Sequence, residues 1–121
     1  MKKEKESQAL SLRIYISSTD KWENQPLYEY IVFKAKKDGL AGATVFKGML
    51  GYGASSVIHS YKFWELTEKL PVMVEIVDEE HAVRSFYEEI KPVLESMTYG
   101  CLVLTEKVDV LLYKTGNKKT P

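Results

Sequence analysis

Residues 39–70 read GLAGATVFKGMLGYGASSVIHSYKFWELTEKL, and this stretch decides how the rest of the chain is arranged. Five of the seven glycines lie in it, at positions 39, 42, 48, 51 and 53. Glycine stops helices, tolerates positive φ and lets a backbone approach a neighbour or ligand closely, so this clustering marks a change of element. Gly39 reads as a helix stop, and Gly42–Leu50, with Thr44, Val45 and Phe46, as a strand. A long segment with Tyr61, Phe63 and Trp64 then runs to Pro71, where a valine-rich strand begins. On residue types alone, a bulged strand followed by an ordinary hairpin accounts for the same pattern.

Upstream, Ala9–Ser17 alternates strictly, with Leu10, Leu12, Ile14 and Ile16 on one face and Ser11, Arg13, Tyr15 and Ser17 on the other. Such alternation specifies a half-buried strand. Ser18–Gln25 reads as a polar loop carrying Trp22, and Pro26 suits a first helical turn. Leu27, Ile31 and Ala35, with Tyr28 and Val32, form a helical stripe that Gly39 closes.

Downstream, Pro71–Val77 reads as a strand and Asp78 as the N-cap of a second helix. Val83, Phe86, Tyr87, Ile90 and Leu94 mark that helix's buried stripe, and Pro92 should kink it or end its regular part. Gly100–Thr105 and Val108–Tyr113 read as two further strands joined tightly at Glu106 and Lys107. The order β-α-β-loop-β-α-β-β predicts an α+β, ferredoxin-like fold with an extra C-terminal strand. Tyr15, Phe46, Met73, Val77 and Val103 should lie on the sheet face away from the helices, beside Arg13. That face is too apolar to stand open, which implies a homo-oligomer.

At 121 residues the chain is one domain, placed over residues 9–114, with tails at 1–8 and 115–121. A formal net charge of zero gives no electrostatic footprint for nucleic acid or an anionic membrane. No apolar run reaches the roughly 18 residues of a membrane span, and no signal-peptide core follows the basic start. Cys101 is the single cysteine, which fits a reducing compartment and a cytoplasmic location.

The segment 53–69 spans 17 residues, beyond the roughly 12–15 at which unstructured connections become uncommon. Its His59, Tyr61, Phe63 and Trp64 make it a candidate partner-binding arm, since exposed aromatics anchor protein contacts. The alternative is a ribbon in which Phe63–Leu66 extends the strand that follows.

These features resemble the PII signal-transduction superfamily, the trimeric sensors of nitrogen and carbon status, along nearly the whole folded length. Gly39-Leu40-Ala41-Gly42-Ala43-Thr44-Val45 looks like the family's helix-end sequence, and Gly51-Tyr52-Gly53 like its glycine pair before the long loop. Leu70-Pro71 and the valine-rich strand ending at Asp78 are also similar. The wording around Gly39 is most similar to a PII-like branch known only as domain of unknown function 190. The resemblance implies a homotrimer with adenine nucleotide in clefts between subunits, and a regulatory rather than enzymatic role. Thr44 would contact the base, while Gly51 and Gly53 would approach the nucleotide through their backbone.

The chain departs from the family pattern in informative ways. Between Gly42 and Gly51 it has one residue more than PII, which calls for a bulge near Gly48. Gly100 falls on the last glycine of the family's Gly-Asp-Gly-Lys phosphate loop. Thr98 and Tyr99 then precede it, and Cys101 takes the lysine position. Of two basic residues on the last strand, one becomes Leu112 and the other is retained as Lys114. Two lost cations weaken the case for a triphosphate, so AMP or ADP is expected over ATP, with Lys47 or Lys21 as possible compensation. The implied nucleotide contacts are Gly42, Thr44, Lys47, Gly51, Tyr52, Gly53, Tyr99, Gly100 and Lys114. No modification is inferred at Tyr61.

Two other classes stay open. A divalent-ion-tolerance family shares the trimeric fold, but His59, His81 and Cys101 lack local metal-ligand spacing. Acylphosphatase-type hydrolases need an arginine in the turn after the first strand, and Ser17–Gln25 has none.

Overall fold

A computed structural model describes residues 7–53, 59–60 and 69–116. Its central strand is β1 (Ser7–Ser17), which pairs antiparallel on one side with β7 (Pro71–Asp78) and on the other with β8 (Leu102–Val110). β4 (Ala43–Lys47) pairs antiparallel with β7, giving a four-stranded sheet in the order β4-β7-β1-β8. Helices α1 (Leu27–Lys37) and α2 (Glu80–Glu95) make the two crossovers. The result is the interleaved βαβ arrangement of the ferredoxin-like fold.

Alternation decides which side the helices take. Leu10, Leu12, Ile14 and Ile16 of β1 and Val72, Val74 and Ile76 of β7 are buried in one cluster. Leu27, Ile31 and Ala35 of α1 join it, with Val83, Phe86, Ile90, Val93 and Leu94 of α2. Each such Leu, Ile, Val or Phe contributes roughly 1.5–3 kcal/mol on burial. Lys34 Nζ adds an exposed link from Asp38 (3.0 Å) on its own helix to Glu89 (2.6 Å) on α2. Pairs of this kind are typically worth only about 0–1 kcal/mol, so packing holds the helices down.

Pro26 stands at the N-cap of α1. At the other end, Gly39 has φ +85°, its N–H donates to the Lys36 carbonyl, and that of Leu40 donates to Ala35. These two bonds form a Schellman closure, which favours glycine at the left-handed position. Before α1, the segment expected as a loop is a small ribbon, β2 (Lys21–Trp22) against β3 (Gln25–Pro26). Its two turn residues, Glu23 and Asn24, both have positive φ, as a two-residue hairpin turn demands. Trp22 packs on Tyr30 of α1 with ring centroids 6.1 Å apart.

Three local expectations are corrected. Asp78 is not the N-cap of α2; Glu79 holds that place without a side-chain cap bond. Asp78 is instead the buried end of β7, where its carboxylate accepts from the backbone N–H groups of Ala41 (2.9 Å) and Glu79 (2.7 Å). α2 does not end at Pro92 but runs on to Glu95, the proline removing the N–H that the Glu88 carbonyl would otherwise accept. The two C-terminal strands are one: β8 runs unbroken from Leu102 to Val110, with Glu106 and Lys107 in register against Ser11 and Leu10. No turn-forming residue stands between Thr105 and Val108 to break it, and Leu111–Tyr113 lie past its end.

Replacing Asp78 by Ala strands two backbone donors at a buried corner. We expect a loss of about 1–3 kcal/mol in denaturant unfolding of Asp78→Ala. A change within error would show that water satisfies those donors.

Candidate functional site

The glycine stretch enters the sheet as its edge strand. Ala41 is held by Asp78, so the start of β4 is fixed, and Gly42 is exposed just before it. Thr44 sits opposite Glu75 and Phe46 opposite Met73, on the face away from the helices, whereas Lys47 falls opposite Val72 with the other parity. The register is constant from Ala43 to Lys47, and Gly48 continues it by donating to the Pro71 carbonyl at 2.7 Å. The bulge expected near Gly48 is therefore absent, and the chain bends only afterwards, at Met49.

Gly48 is required by proximity. A Cβ there would lie 2.8 Å from Pro71 Cγ and 3.2 Å from the Pro71 carbonyl oxygen. After the bend, β5 (Leu50–Gly51) pairs with β6 (His59–Ser60) in a short ribbon, Gly51 opposite His59. Tyr52 is 72% exposed, and a Cβ at Gly53 would meet nothing within 4 Å. The backbone here is open to approach. Tyr61, Phe63 and Trp64 lie outside the described residues.

The same end of the sheet collects a second group. Ser18 N–H donates to the Leu70 carbonyl (2.8 Å), and Leu70 N–H to Ser18 Oγ (2.9 Å), which ties the entry to β7 against the end of β1. Lys69, just before it, places Nζ 4.6 Å from the centroid of the Tyr99 ring. Tyr99 and Gly100 are exposed in the connection from α2 to β8. Lys47, Gly48–Gly53, Lys69, Tyr99 and Gly100 thus gather where β1 ends and β7 begins. Lys114 does not join them, because β8 ends opposite Ser7, at the far end of the sheet. Among the described residues, the nine expected contacts are divided between the two ends of the sheet. The groove of about 270 Å³ between α2 and β8, lined by residues such as Val83, Tyr87 and Val103, contains none of them.

The open sheet face has two rows. One is apolar, running Phe46, Met73, Tyr15, Leu102, with Phe46 48%, Tyr15 40% and Leu102 56% exposed. The next runs Thr44, Glu75, Arg13, Leu104. Val103, expected on this face, stands opposite Ile14 and packs on the core, so Leu102 and Leu104 take its place. Arg13 is shared by two carboxylates, with Nε 3.1 Å from Glu75 Oε2 and Nη1 2.9 Å from Glu106 Oε1. Those hydrogen bonds, Glu75 first, raise the guanidinium pKa further. Ser11 Oγ also donates to Glu75 Oε2 at 3.0 Å.

His81 is exposed in the first turn of α2, beside Glu79 and at the opposite end of the sheet from Cys101. Among the described residues no three His, Cys, Asp or Glu side chains are grouped to hold a metal. Burial pushes the Cys101 thiol pKa up, and the Asp20 carboxylate adds to the shift. A nucleophilic cysteine needs the reverse, an electropositive site that favours thiolate. No helix among the described residues is long and apolar enough to cross a membrane.

Two measurements check this geometry. Gly48→Val should lower stability by about 1–3 kcal/mol through overpacking against Pro71, read from urea unfolding. The Cys101 thiol should react with a chromogenic disulfide near pH 8 more slowly than free cysteine, and Asp20→Asn should accelerate it. Reaction as fast as free cysteine would contradict a half-buried thiol.

Comparison with known proteins places this arrangement. The DUF190 family model, described as "Uncharacterized ACR", matches residues 9–110. A UPF0166 protein of Aquifex aeolicus (strain VF5) is 41% identical over 100 residues, covering 83% of this chain and 90% of the relative. A UPF0166 protein of Methanocaldococcus jannaschii is 33% identical over 95 residues, covering 78% and 85%. Among solved structures, CPII, a nitrogen regulatory PII-like protein from Thiomonas intermedia K12 bound to ADP, AMP and bicarbonate, superposes with a TM-score of 0.67. The match covers 88% of this chain and 91% of that one at 16% identity. A putative PII-like signaling protein from Thermus thermophilus gives 0.60 over 88% and 92%, at 15% identity. The chain belongs to the DUF190 family, a branch with the PII-like form of the ferredoxin-like fold.

Proposed function

We propose that this protein is a PII-like regulator that assembles as a homotrimer, binds an adenine nucleotide between neighbouring copies, and reports the bound state to a partner protein. The observation that carries the reading is the division of the implied contacts. Gly51, Tyr52, Gly53, Tyr99 and Gly100 lie at one end of the sheet and Lys114 at the other. Among the described residues the two groups stand apart within one chain, and a second copy would bring the missing group. The partly exposed row of Phe46, Tyr15 and Leu102 gives copies an apolar surface to bury. The structural neighbour from Thiomonas intermedia, bound to ADP and AMP, supports the ligand class.

Charge sets the choice among nucleotides. Cys101 and Leu112 stand where the resemblance implies cations, leaving Lys114 and Lys47 of the named set. Each further phosphate adds anionic oxygens that need charged donors. AMP or ADP is therefore favoured over ATP. The segment 53–69, with His59, Tyr61, Phe63 and Trp64, is the proposed partner arm. A nucleotide signals through it only if it binds one arrangement more tightly than another. The protein is read as non-enzymatic and cytoplasmic.

Calorimetric titration of AMP, ADP and ATP into the purified protein tests the site. Saturable binding is expected, with ATP weakest, and Thr44→Val should weaken all three about tenfold by removing a hydrogen bond to the base. Absence of binding at millimolar nucleotide would sink the sensor reading. Sedimentation equilibrium should return a trimer, and a monomer at micromolar concentration would remove the shared cleft.

A further inference from the structure

Among the described cations, Lys69 is the one that rests on an aromatic ring. Arg13, Lys34 and Arg84 are each committed to carboxylates at 3.1 Å or less. Among the described residues Lys69 has no carboxylate partner; its ammonium rests on the Tyr99 ring at 4.6 Å. The lysine is half-buried and the ring 56% exposed. A cation over an exposed ring is held more weakly than one in a charge-assisted hydrogen bond. An anion arriving here would win the ammonium from the ring.

Its place in the chain brings it to the two groups already described. Lys69 is two residues before Pro71, against which Gly48 packs at 2.8 Å and Gly51 at 3.4 Å for an added Cβ. Through Tyr99 it touches the residue next to Gly100. It therefore stands in the chain next to the segment that packs on the glycine turn, and in space against Tyr99 of the α2–β8 connection. The other nearby lysines do not: Lys47 follows the parity of β4 that points toward the helices, and Lys21 is exposed on the β2–β3 ribbon. Asp20 is buried and raises the Cys101 thiol, so a phosphate held at Cys101 itself would meet a carboxylate. Lys69 approaches from the Tyr99 side.

We propose that Lys69 is a phosphate-binding residue of the nucleotide site, exchanging its contact with the Tyr99 ring for the phosphate oxygens of a nucleoside mono- or diphosphate. This rests on the adenine-nucleotide reading above and supplies the cation that Cys101 does not.

The test is calorimetric titration of AMP and ADP, at one fixed ionic strength, into the wild type and into Lys69→Met, Lys69→Arg and, as a surface control on α1, Lys36→Met. Lys69→Met should weaken ADP at least about tenfold, with a smaller loss for AMP. Lys69→Arg keeps the charge and should stay within about threefold of the wild type, and Lys36→Met should not differ from it. Far-UV circular dichroism and melting temperature establish that each variant is folded. ADP bound equally by wild type and Lys69→Met would overturn the role of Lys69 and leave the nucleotide reading standing. Equal losses in the Met and Arg variants would mean lost packing rather than lost charge, and would also overturn it. No ADP binding by the wild type would overturn both.

Discussion

β1 hydrogen-bonds along both of its edges, to β7 and to β8, while every second side chain descends into the helices. Side chains in a strand alternate with a period of two, so a slip of one residue would exchange the two faces. Leu10, Leu12, Ile14 and Ile16 forbid that slip, because their alternates are Ser11, Arg13, Tyr15 and Ser17. Once β1 is held, β7 and β8 inherit their faces from its register. β4 follows β7 in turn, and its own free edge and that of β8 close the sheet's two sides.

The open face inherits its chemistry from the same register. Opposed positions bring Phe46, Met73, Tyr15 and Leu102 into one row and Thr44, Glu75, Arg13 and Leu104 into the next. An unpaired charge beside the apolar row would oppose burial of that face, since breaking or orphaning a buried ion costs several kcal/mol. Arg13 is satisfied within its own chain, by Glu75 and Glu106. Its positive charge therefore makes no demand on whatever covers the face.

How much of this was legible in the sequence depended on the range of the interaction involved. Gly39 closes α1 as read, and Pro26 stands at its N-cap, one place before the first turn expected for it, since the forces that start and stop a helix act within a few residues. The strand alternation of 9–17 and the stripe of α2 were legible for the same reason. Asp78 was not: its chemistry suits an N-cap, but it sits 37 residues from Ala41, whose N–H it accepts. Glu106 and Lys107 read locally as a joint between two strands, and only their pairing with Ser11 and Leu10 of β1 makes them one extended run. The same local reading misplaces Val103, because only the β1–β8 register decides the parity of β8. Lys69 was visible as a loop residue, but nothing in the sequence joins it to Tyr99, 30 positions on.

The distribution of cations bears most directly on what such a site could hold. A phosphate near Cys101 would face the buried Asp20, whose carboxylate already accepts the Ser17 N–H at 3.0 Å. That hydrogen bond spreads the carboxylate charge without cancelling it, so an anion at this corner would depend on Lys69 and on backbone N–H groups around the glycines. Backbone donors carry partial charge and suit one or two anionic oxygens. Three phosphates need several full charges, and among the described residues of one chain Lys69 is the one cation resting against Tyr99, next to Gly100. Lys114 belongs to the far end of the sheet and could contribute only from another copy. A site shared between copies therefore gains charge that a folded monomer cannot bring together, and its preference among phosphates would be set by assembly as much as by sequence.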